Sequence, residues 1–200
     1  MPYLDPSEYA AYGLAADTTG DLVQLASALL DAYCRRPTLG QQQYTERVRL
    51  IANSQTARLS YTPFIALTSV RVRYGRPRRG DMHADLLTQA AWAFSIPGSW
   101  STLDVSSIDV DQATAEVTFP ASFLGVPYNE AEVTYTAGFA TIPPAIKTAC
   151  AQVVRNAQAT PALNVKGSRV DTLQMQYFSS SLIDSSVQLL LAPYIAQKVG

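Results

Sequence analysis

The sequence has few of the residues that metal and redox sites require. It contains one histidine, His83, and two cysteines, Cys34 and Cys150, in 200 residues. Zinc sites combine several cysteine or histidine ligands at short spacings. Two cysteines so far apart supply neither a zinc pattern nor a disulfide framework. We therefore expect no metal or other cofactor, and we interpret both cysteines as buried free thiols.

Long apolar runs are also missing. A transmembrane helix needs ~20 consecutive apolar residues, and no stretch approaches that length. The start, "MPYLDPSEYAAYGL", lacks the basic segment and apolar core of a signal peptide. We therefore expect synthesis in the cytoplasm and no membrane contact.

Recognisable catalytic motifs are absent as well. The sequence has no GxxxxGK[ST], GxGxxG or HExxH pattern. Asp109 and Asp111 could offer oxygen ligands to a divalent cation, but they flank a predicted turn and are expected to be solvated. Ser179 to Ser181 have no basic partner nearby and are expected to cap the last helix. A hydrolase that uses Asp109, Asp111 and His83 would lack a base and nucleophile pair, so we predict that the protein is not an enzyme.

What the sequence does have is a strong segregation of charge. Residues 1–34 carry a net charge of −5, residues 35–80 carry +9, residues 81–145 carry −8, and the remainder carries +3. Such blocks indicate complementary surfaces, either within the chain or between copies of it.

The basic block contains a dense arginine cluster in "RVRYGRPRRG", namely Arg71, Arg73, Arg76, Arg78 and Arg79. Period-two alternation places Arg71 and Arg73 on one strand face. Guanidinium groups arranged in this way can follow DNA phosphates without reading sequence. They could equally keep an edge strand soluble or pair with an acidic partner. The sequence pI of 5.8 is lower than that usual for a DNA-binding domain.

Hydrophobic periodicity predicts helices at both ends and strands between them. "LDPSEYAAYG" predicts a short helix stopped by Gly13, and helical spacing is strong in "DTTGDLVQLASALLDAYCRRP" and "PPAIKTACAQVVRNAQA". A last helix is expected to end near Pro193. Strands are predicted in "YTERVRLI", "TARLSY", "IALTSVRVRY", "EAEVTYTAGF" and "TLQMQYF", with a hairpin in "DVSSIDVDQATAEVTFP".

Two segments have no clear period. "LLTQAAWAFSIPGSWSTL" is interpreted as irregular or strand-like, with Trp92, Phe94 and Trp100 packing, and "ALNVKGSRVD" is interpreted as a loop. The predicted fold class is α+β, a bundle of N-terminal and C-terminal helices with an inserted antiparallel β-rich lobe. We place the N-terminal helices in 1–42, the lobe in 43–137, and the C-terminal helices in 138–200, as one composite domain.

Three segments resemble the head-tail connector, or adaptor, proteins of tailed bacteriophages. "VTYTAGFATIPPAIKTACAQVV" is similar to a family segment in which a strand ending in Y-x-x-G leads through I/V-P-x-x-I/L-K into a helix. "YLDPSEYAAYGL" with "LVQLASALLDAYCRRP" resembles the opening helices, and "VQLLLAPYIAQ" resembles the closing helix. The segments occur in the family's order and cover roughly a third of the chain.

The resemblance implies a virion protein without catalytic residues, made in the host cytoplasm and assembled as a ring, typically of twelve copies. Such rings dock on the portal protein at the capsid vertex and bind the next stopper or tail protein, and double-stranded DNA passes through them. By resemblance, residues 166–200 would reach toward the portal, with Leu190, Leu191, Pro193 and Tyr194 as contact candidates. The alternative is another small virion protein, a stopper or tail-completion subunit.

The charge blocks lead to two hypotheses within this resemblance. The region Arg71–Arg79 could meet acids of residues 104–132 on a neighbouring copy, with Asp109 and Asp111 as candidates, because a repeated heterologous contact can close a ring. Alternatively, the arginines could line the DNA channel, which predicts salt-sensitive DNA binding.

Overall fold

A computed structural model describes residues 2–50, 55–74, 99–120, 127–159, 167–170, 173–176 and 182–197. The chain divides into two compact units. The first comprises residues 1–40 and 139–196, and the second comprises residues 41–138 and 197–200. We call them the helical unit and the β unit.

Among its described residues, the helical unit contains three α-helices. They are α1 (Gly20–Tyr33), α2 (Pro144–Ala159) and α3 (Ser185–Leu191). Short 3-10 turns occupy Pro6–Glu8, Ala10–Tyr12 and Ala192–Tyr194, and a two-stranded antiparallel ribbon pairs β8 (Gly167–Val170) with β9 (Leu173–Gln176). The predicted helix near the N-terminus is thus two 3-10 turns, the second of which ends at Gly13 with a φ of 71°. The loop expected at "ALNVKGSRVD" is wrong for Gly167–Val170, which pairs as a strand.

Helices α1 and α2 pack through small side chains. Ala26 on α1 and Ala149 and Cys150 on α2 belong to one buried apolar cluster, and Ser27 on α1 is also buried, with its Oγ 3.7 Å from Cys150 Sγ. Ser27 Oγ also donates to the carbonyl of Val23 at 2.7 Å, so its hydroxyl remains hydrogen-bonded in the core. Small residues at these positions allow the two helix backbones to approach each other closely.

The segment that enters α2 explains the strand-to-helix motif in physical terms. Gly138 adopts a φ of 107°, which non-glycine residues rarely adopt. Pro144 opens α2, where its missing N–H costs nothing. Ile146 is fully buried, and the Lys147 ammonium donates to Glu8 in the first 3-10 turn. The motif residues therefore start the helix, fill the core and tie α2 to the N-terminal segment.

Helix α3 begins at an acidic cap. The Asp184 side chain accepts a hydrogen bond from the backbone N–H of Val187 at 2.8 Å, and Asn156 Nδ2 donates to the same carboxylate at 3.2 Å. Asp184 fills the capping role that we expected of Ser179 to Ser181, which lie outside the described residues.

The described part of the β unit contains two antiparallel sheets. The first has the strand order β1-β7-β3-β4, with β1 at Gln42–Arg49, β7 at Glu130–Ala137, β3 at Phe64–Arg73 and β4 at Ser101–Leu103. The second has the order β2-β6-β5, with β2 at Thr56–Arg58, β6 at Glu116–Thr118 and β5 at Asp109–Asp111. The fold class is α+β, as predicted.

Both sheets bury one face in the same apolar cluster. Val70, Val72, Val133 and Tyr135 come from the first sheet, and Val117 comes from the second, all with no exposed area. The alternate residues of each strand therefore point away from this core. The two polar faces consequently lie on different sides of the β unit.

Candidate interaction surface

The polar face of the first sheet carries two rows of alternating charge. Strand β7 lies between β1 and β3, and its Glu132 is opposite Arg47 on one side and Arg71 on the other. In the next row, Glu130 is opposite Arg49 and Arg73. We call these six residues, together with Trp100, the basic face.

Glu130 forms most of the ion pairs on this face. Arg73 Nε donates to Glu130 Oε2 at 2.7 Å, Arg47 Nη2 lies 3.4 Å from Oε2, and Arg49 Nη2 lies 3.9 Å from Oε1. Arg71 donates to Glu132 through Nε at 3.0 Å and also through Nη2. The two carboxylates are therefore paired with four guanidinium groups, which leaves these six side chains with a net charge of +2.

Three of the arginines lie close to the ring of Trp100, the residue directly before β4. The guanidinium carbons of Arg73, Arg47 and Arg71 lie 4.7, 5.0 and 5.7 Å from the centre of its ring. A cation at this distance is attracted to the negative face of the ring, by ~0.5–1 kcal/mol at exposed sites. Trp100 is half-buried and packs on charged side chains. It thereby restrains the guanidinium groups that Glu130 and Glu132 attract.

The basic face remains accessible to a partner. The side chains of Arg47, Arg49 and Arg71 are 52%, 54% and 48% exposed. Exposed ion pairs contribute little to stability, with a typical value of ~0–1 kcal/mol. The arrangement therefore does more to hold an excess of positive charge in a fixed pattern than to stabilise the fold.

The second sheet presents a mainly acidic face. Asp109 and Asp111 on β5 and Glu116 on β6 are exposed, as is Arg58 on β2. Asp111 lies opposite Glu116, and Glu116 lies opposite Arg58. We call these four residues the acidic face, and their net charge is −2. Strand β5 is an edge strand, so its acids stand at the border of the sheet.

Asp111 also organises the hairpin turn between β5 and β6. Its carboxylate accepts hydrogen bonds from Thr114 Oγ1 at 2.8 Å and from the N–H of Ala113 at 2.9 Å. Both bonds hold the pKa of Asp111 below its usual value, and the bond from the Thr114 side chain has the larger effect. This is the solvated, turn-flanking role that the sequence predicted for it. Among the described residues, no group of three or more His, Cys, Asp and Glu is placed to hold a metal ion.

The predicted site residues are thus only partly brought together. Arg71 and Arg73 pair with Glu132 and Glu130 of the same chain, which supports the intrachain interpretation of the charge blocks for these two residues. Arg76, Arg78, Arg79 and His83 lie outside the described residues. The pairing of Asp109 and Asp111 with arginines of a neighbouring copy stays a prediction.

The portal-contact candidates lie around α3 in the helical unit. Leu191 is fully buried and belongs to the core. Leu190 and Tyr194 are half-buried, and the Tyr194 ring meets Phe139 edge-to-face with centroids 5.5 Å apart. Pro193 is exposed. Three of the four residues therefore keep surface that a partner could contact.

Both thiols have the environment expected of buried cysteines. Cys34 and Cys150 are free and have no exposed area. Burial raises the pKa of each to about 11. A thiol with so high a pKa carries almost no thiolate at neutral pH, so neither group has the activation that a nucleophile needs. No helix within the described ranges combines the length and apolar character of a bilayer-spanning segment.

Sequence reasoning missed five members of the basic face. Arg47 and Arg49 alternate in "YTERVR" as Arg71 and Arg73 do in "VRVR", and this shared pattern was the available signal. The pairing of Glu130 and Glu132 with both arginine strands depends on sheet order, which alternation does not reveal. Trp100 was expected simply to pack, and no local pattern indicates its guanidinium partners.

Comparisons with known proteins bear on the fold. No family model and no curated protein matches the sequence. Among solved structures, the chain is similar to one in the neck of an empty GTA particle computed with C6 symmetry, where GTA denotes a gene transfer agent, a phage-like particle. The two share 14% sequence identity at a TM-score of 0.50, and the match covers 99% of this chain and 92% of that one. At this identity the similarity establishes a shared fold: the chain has the fold of a protein found in the neck of a phage-like particle.

Proposed function

We propose that this protein is a structural subunit of the neck of a tailed phage or phage-like particle, where it connects the capsid to the tail. The observation that carries the proposal is the shared fold, since 99% of this chain matches a chain of such a neck. The sequence resemblance to head-tail adaptors points to the same class of protein through residues that the fold comparison does not weigh.

Within that class, the adaptor role fits best. The motif that resembles the adaptor family has a defined structural use here, because Pro144 starts α2, Ile146 fills the core and Lys147 binds Glu8. As an adaptor, the protein forms a ring on the portal, binds a stopper or tail protein, and allows double-stranded DNA to pass through the ring. The neighbour's neck was computed with six-fold symmetry, and twelve copies are compatible with such an axis.

The proposed portal contact uses the C-terminal part of the helical unit. Leu190, Pro193 and Tyr194 are the exposed or half-buried candidates, whereas Leu191 serves the core. Leu189, next to them on α3, is 78% exposed and adds to the apolar surface of this group. The protein performs no catalysis in this role, needs no cofactor, and is located in the virion at the head-tail interface.

A stopper or tail-completion subunit is the second candidate. The same fold similarity supports it, because it concerns the neck as a whole. Mixing the purified chain with the portal protein of the same phage or phage-like particle, followed by negative-stain electron microscopy, separates the two roles. An adaptor adds density to the outer end of the portal ring. A stopper leaves the bare portal unchanged and binds only after an adaptor is present. A chain that binds neither assembly contradicts the proposal.

A further inference from the structure

The two polar faces of the β unit complement each other in charge. The basic face has four arginines and two glutamates, a net charge of +2, and the acidic face has three acids and Arg58, a net charge of −2. All four residues of the acidic face are exposed on one chain, as are Arg47, Arg49 and Arg71 of the basic face. They point to different sides of the unit because both sheets bury their other faces in the same core. One copy therefore cannot bring its own two faces together.

We propose that the basic face of one copy binds the acidic face of a second copy. The contact is heterologous, since it joins two different surfaces, and each copy keeps one unused face for the next. Repetition about an axis then produces a ring. This contact deepens the proposed role as a neck subunit, and its test requires only the purified chain.

The acidic face contains two like charges that repel each other, and the arginines of a second copy would reduce this repulsion. Asp111 and Glu116 are directly opposite each other on neighbouring antiparallel strands. Like charges at such positions repel and destabilise the pair. Arg58 on the far side of Glu116 offsets one of these charges. Guanidinium groups of a second copy would offset the remaining acids, whereas an isolated chain leaves them to solvent.

The basic face carries both positive and negative side chains, and this mixture favours a protein partner over DNA. Glu130 and Glu132 lie in the central strand of the basic face, so a DNA phosphate laid across it would meet two carboxylates. The acidic face instead offers three acids for the surplus arginines and Arg58 for a glutamate. Complementary patterns of this kind set orientation and exclude wrong partners. We therefore assign the basic face to a second copy, and DNA binding becomes an outcome of the test.

The test uses two charge-reversed variants of the full chain. The basic-face variant is R47E/R49E, and the acidic-face variant is D109R/E116R. Asp111 is left intact because it holds the hairpin turn. The variant R35E/R155E is the matched control, since it makes the same charge change at exposed arginines of the helical unit. Circular dichroism of each variant checks that the fold is retained.

Sedimentation velocity measures self-association at about 10 mM and about 1 M salt, where the Debye length is about 30 Å and about 3 Å. We expect wild type and R35E/R155E to associate at low salt and to dissociate at high salt. Each face variant alone should associate at least about tenfold more weakly, because like charges then meet across the contact. An equimolar mixture of the two variants should recover association, since every reversed face then meets its complement.

Three results would overturn the proposal. The wild-type chain could remain monomeric at low salt, the face variants could associate as wild type does, or their mixture could fail to recover. Binding of a double-stranded DNA oligonucleotide that R47E/R49E abolishes, without any self-association, would reassign the basic face to DNA. Portal microscopy is independent of these results. A face variant that still assembles normally on the portal refutes the contact alone, and a self-associating chain that ignores neck components refutes the proposed function alone.

Discussion

The hydroxyl group of Tyr135 offers a quantitative test of how the segment between β2 and β3 is held against the first sheet of the β unit. It donates to Glu46 Oε1 at 2.9 Å and accepts from the backbone N–H of Tyr61 at 3.2 Å, while the N–H of Ser60 donates to Glu46 Oε2 at 3.1 Å. Tyr135 has no exposed area. Burial, followed by the negative charge of Glu46, raises the pKa of Tyr135 far above its usual value. The hydroxyl therefore stays protonated and remains a donor at every pH of practical use.

Tyr135→Phe removes this hydroxyl and leaves the ring in place. A hydrogen bond to a charged acceptor contributes ~1.5–3 kcal/mol, and the bond from Tyr61 adds about 1 kcal/mol. Because these contributions are not additive, we expect the free energy of unfolding to fall by ~2–3 kcal/mol. With a urea m-value of about 2 kcal/mol/M, the unfolding midpoint falls by about 1 M. Tryptophan fluorescence is a suitable probe, since both tryptophans belong to residues 41–138.

Two further variants make the measurement decisive. Thr134→Val, on the neighbouring residue of β7, removes a hydroxyl whose contact with Thr45 is exposed, and it should change stability by less than about 0.5 kcal/mol. In a Glu46→Gln background, Tyr135→Phe should cost about 1 kcal/mol less, because its charged acceptor is gone. If Tyr135→Phe is as stable as wild type, or costs the same in both backgrounds, the hydrogen bond is not the stabilising contact.

Three other predictions concern the helical unit. Ile146→Ala should lower the free energy of unfolding by ~3 kcal/mol and Ile146→Val by only ~1 kcal/mol, because the side chain is fully buried; equal losses in urea titrations would contradict core packing. Cys34 and Cys150, buried with pKa values of about 11, should not react with Ellman's reagent in the native chain, and both should react in denaturant; rapid native labelling would disprove their burial. The hydrogen bond from the N–H of Val187 lowers the pKa of Asp184 in the folded chain. The ionised carboxylate therefore stabilises α3 at pH values above its unfolded-state pKa of ~3.9. This stabilisation is lost as the pH falls through the lower, folded-state pKa. Asp184→Ala should therefore cost ~1 kcal/mol at neutral pH and less in acid, and a difference that grows in acid would reverse the assigned sign.

Elements with a strong local period were predictable. Helix α2 repeats buried residues at helical spacing, and β3 alternates Arg71 and Arg73 with buried Val70 and Val72. In each case neighbouring residues alone decide which side faces a core. Gly138, at the end of this sheet, has a positive φ that glycine adopts without steric cost.

Features that depend on distant partners were not predictable. Strand β8 contains a glycine and one charged residue, Arg169, and it forms only by pairing with β9. The burial of Leu191 depends on the elements around α3, and its exposed neighbour Leu189 has the same side chain. For the candidate site, alternation identified Arg71 and Arg73. Their carboxylate partners required knowledge that β7 is inserted between β1 and β3.

The position of β7 also constrains how the chain acquires its structure during synthesis. Its partners β1 and β3 are synthesised much earlier. Neither can pair in the sheet until residues 130–137, which form the strand between them, have been synthesised. Likewise, α1 finds α2 only after the whole of residues 41–138 has been made. Contacts between such distant segments slow folding, because the intervening loop must be closed first. A nascent chain that ends before Glu130 thus has neither core, and both cores become possible only within the last third of translation.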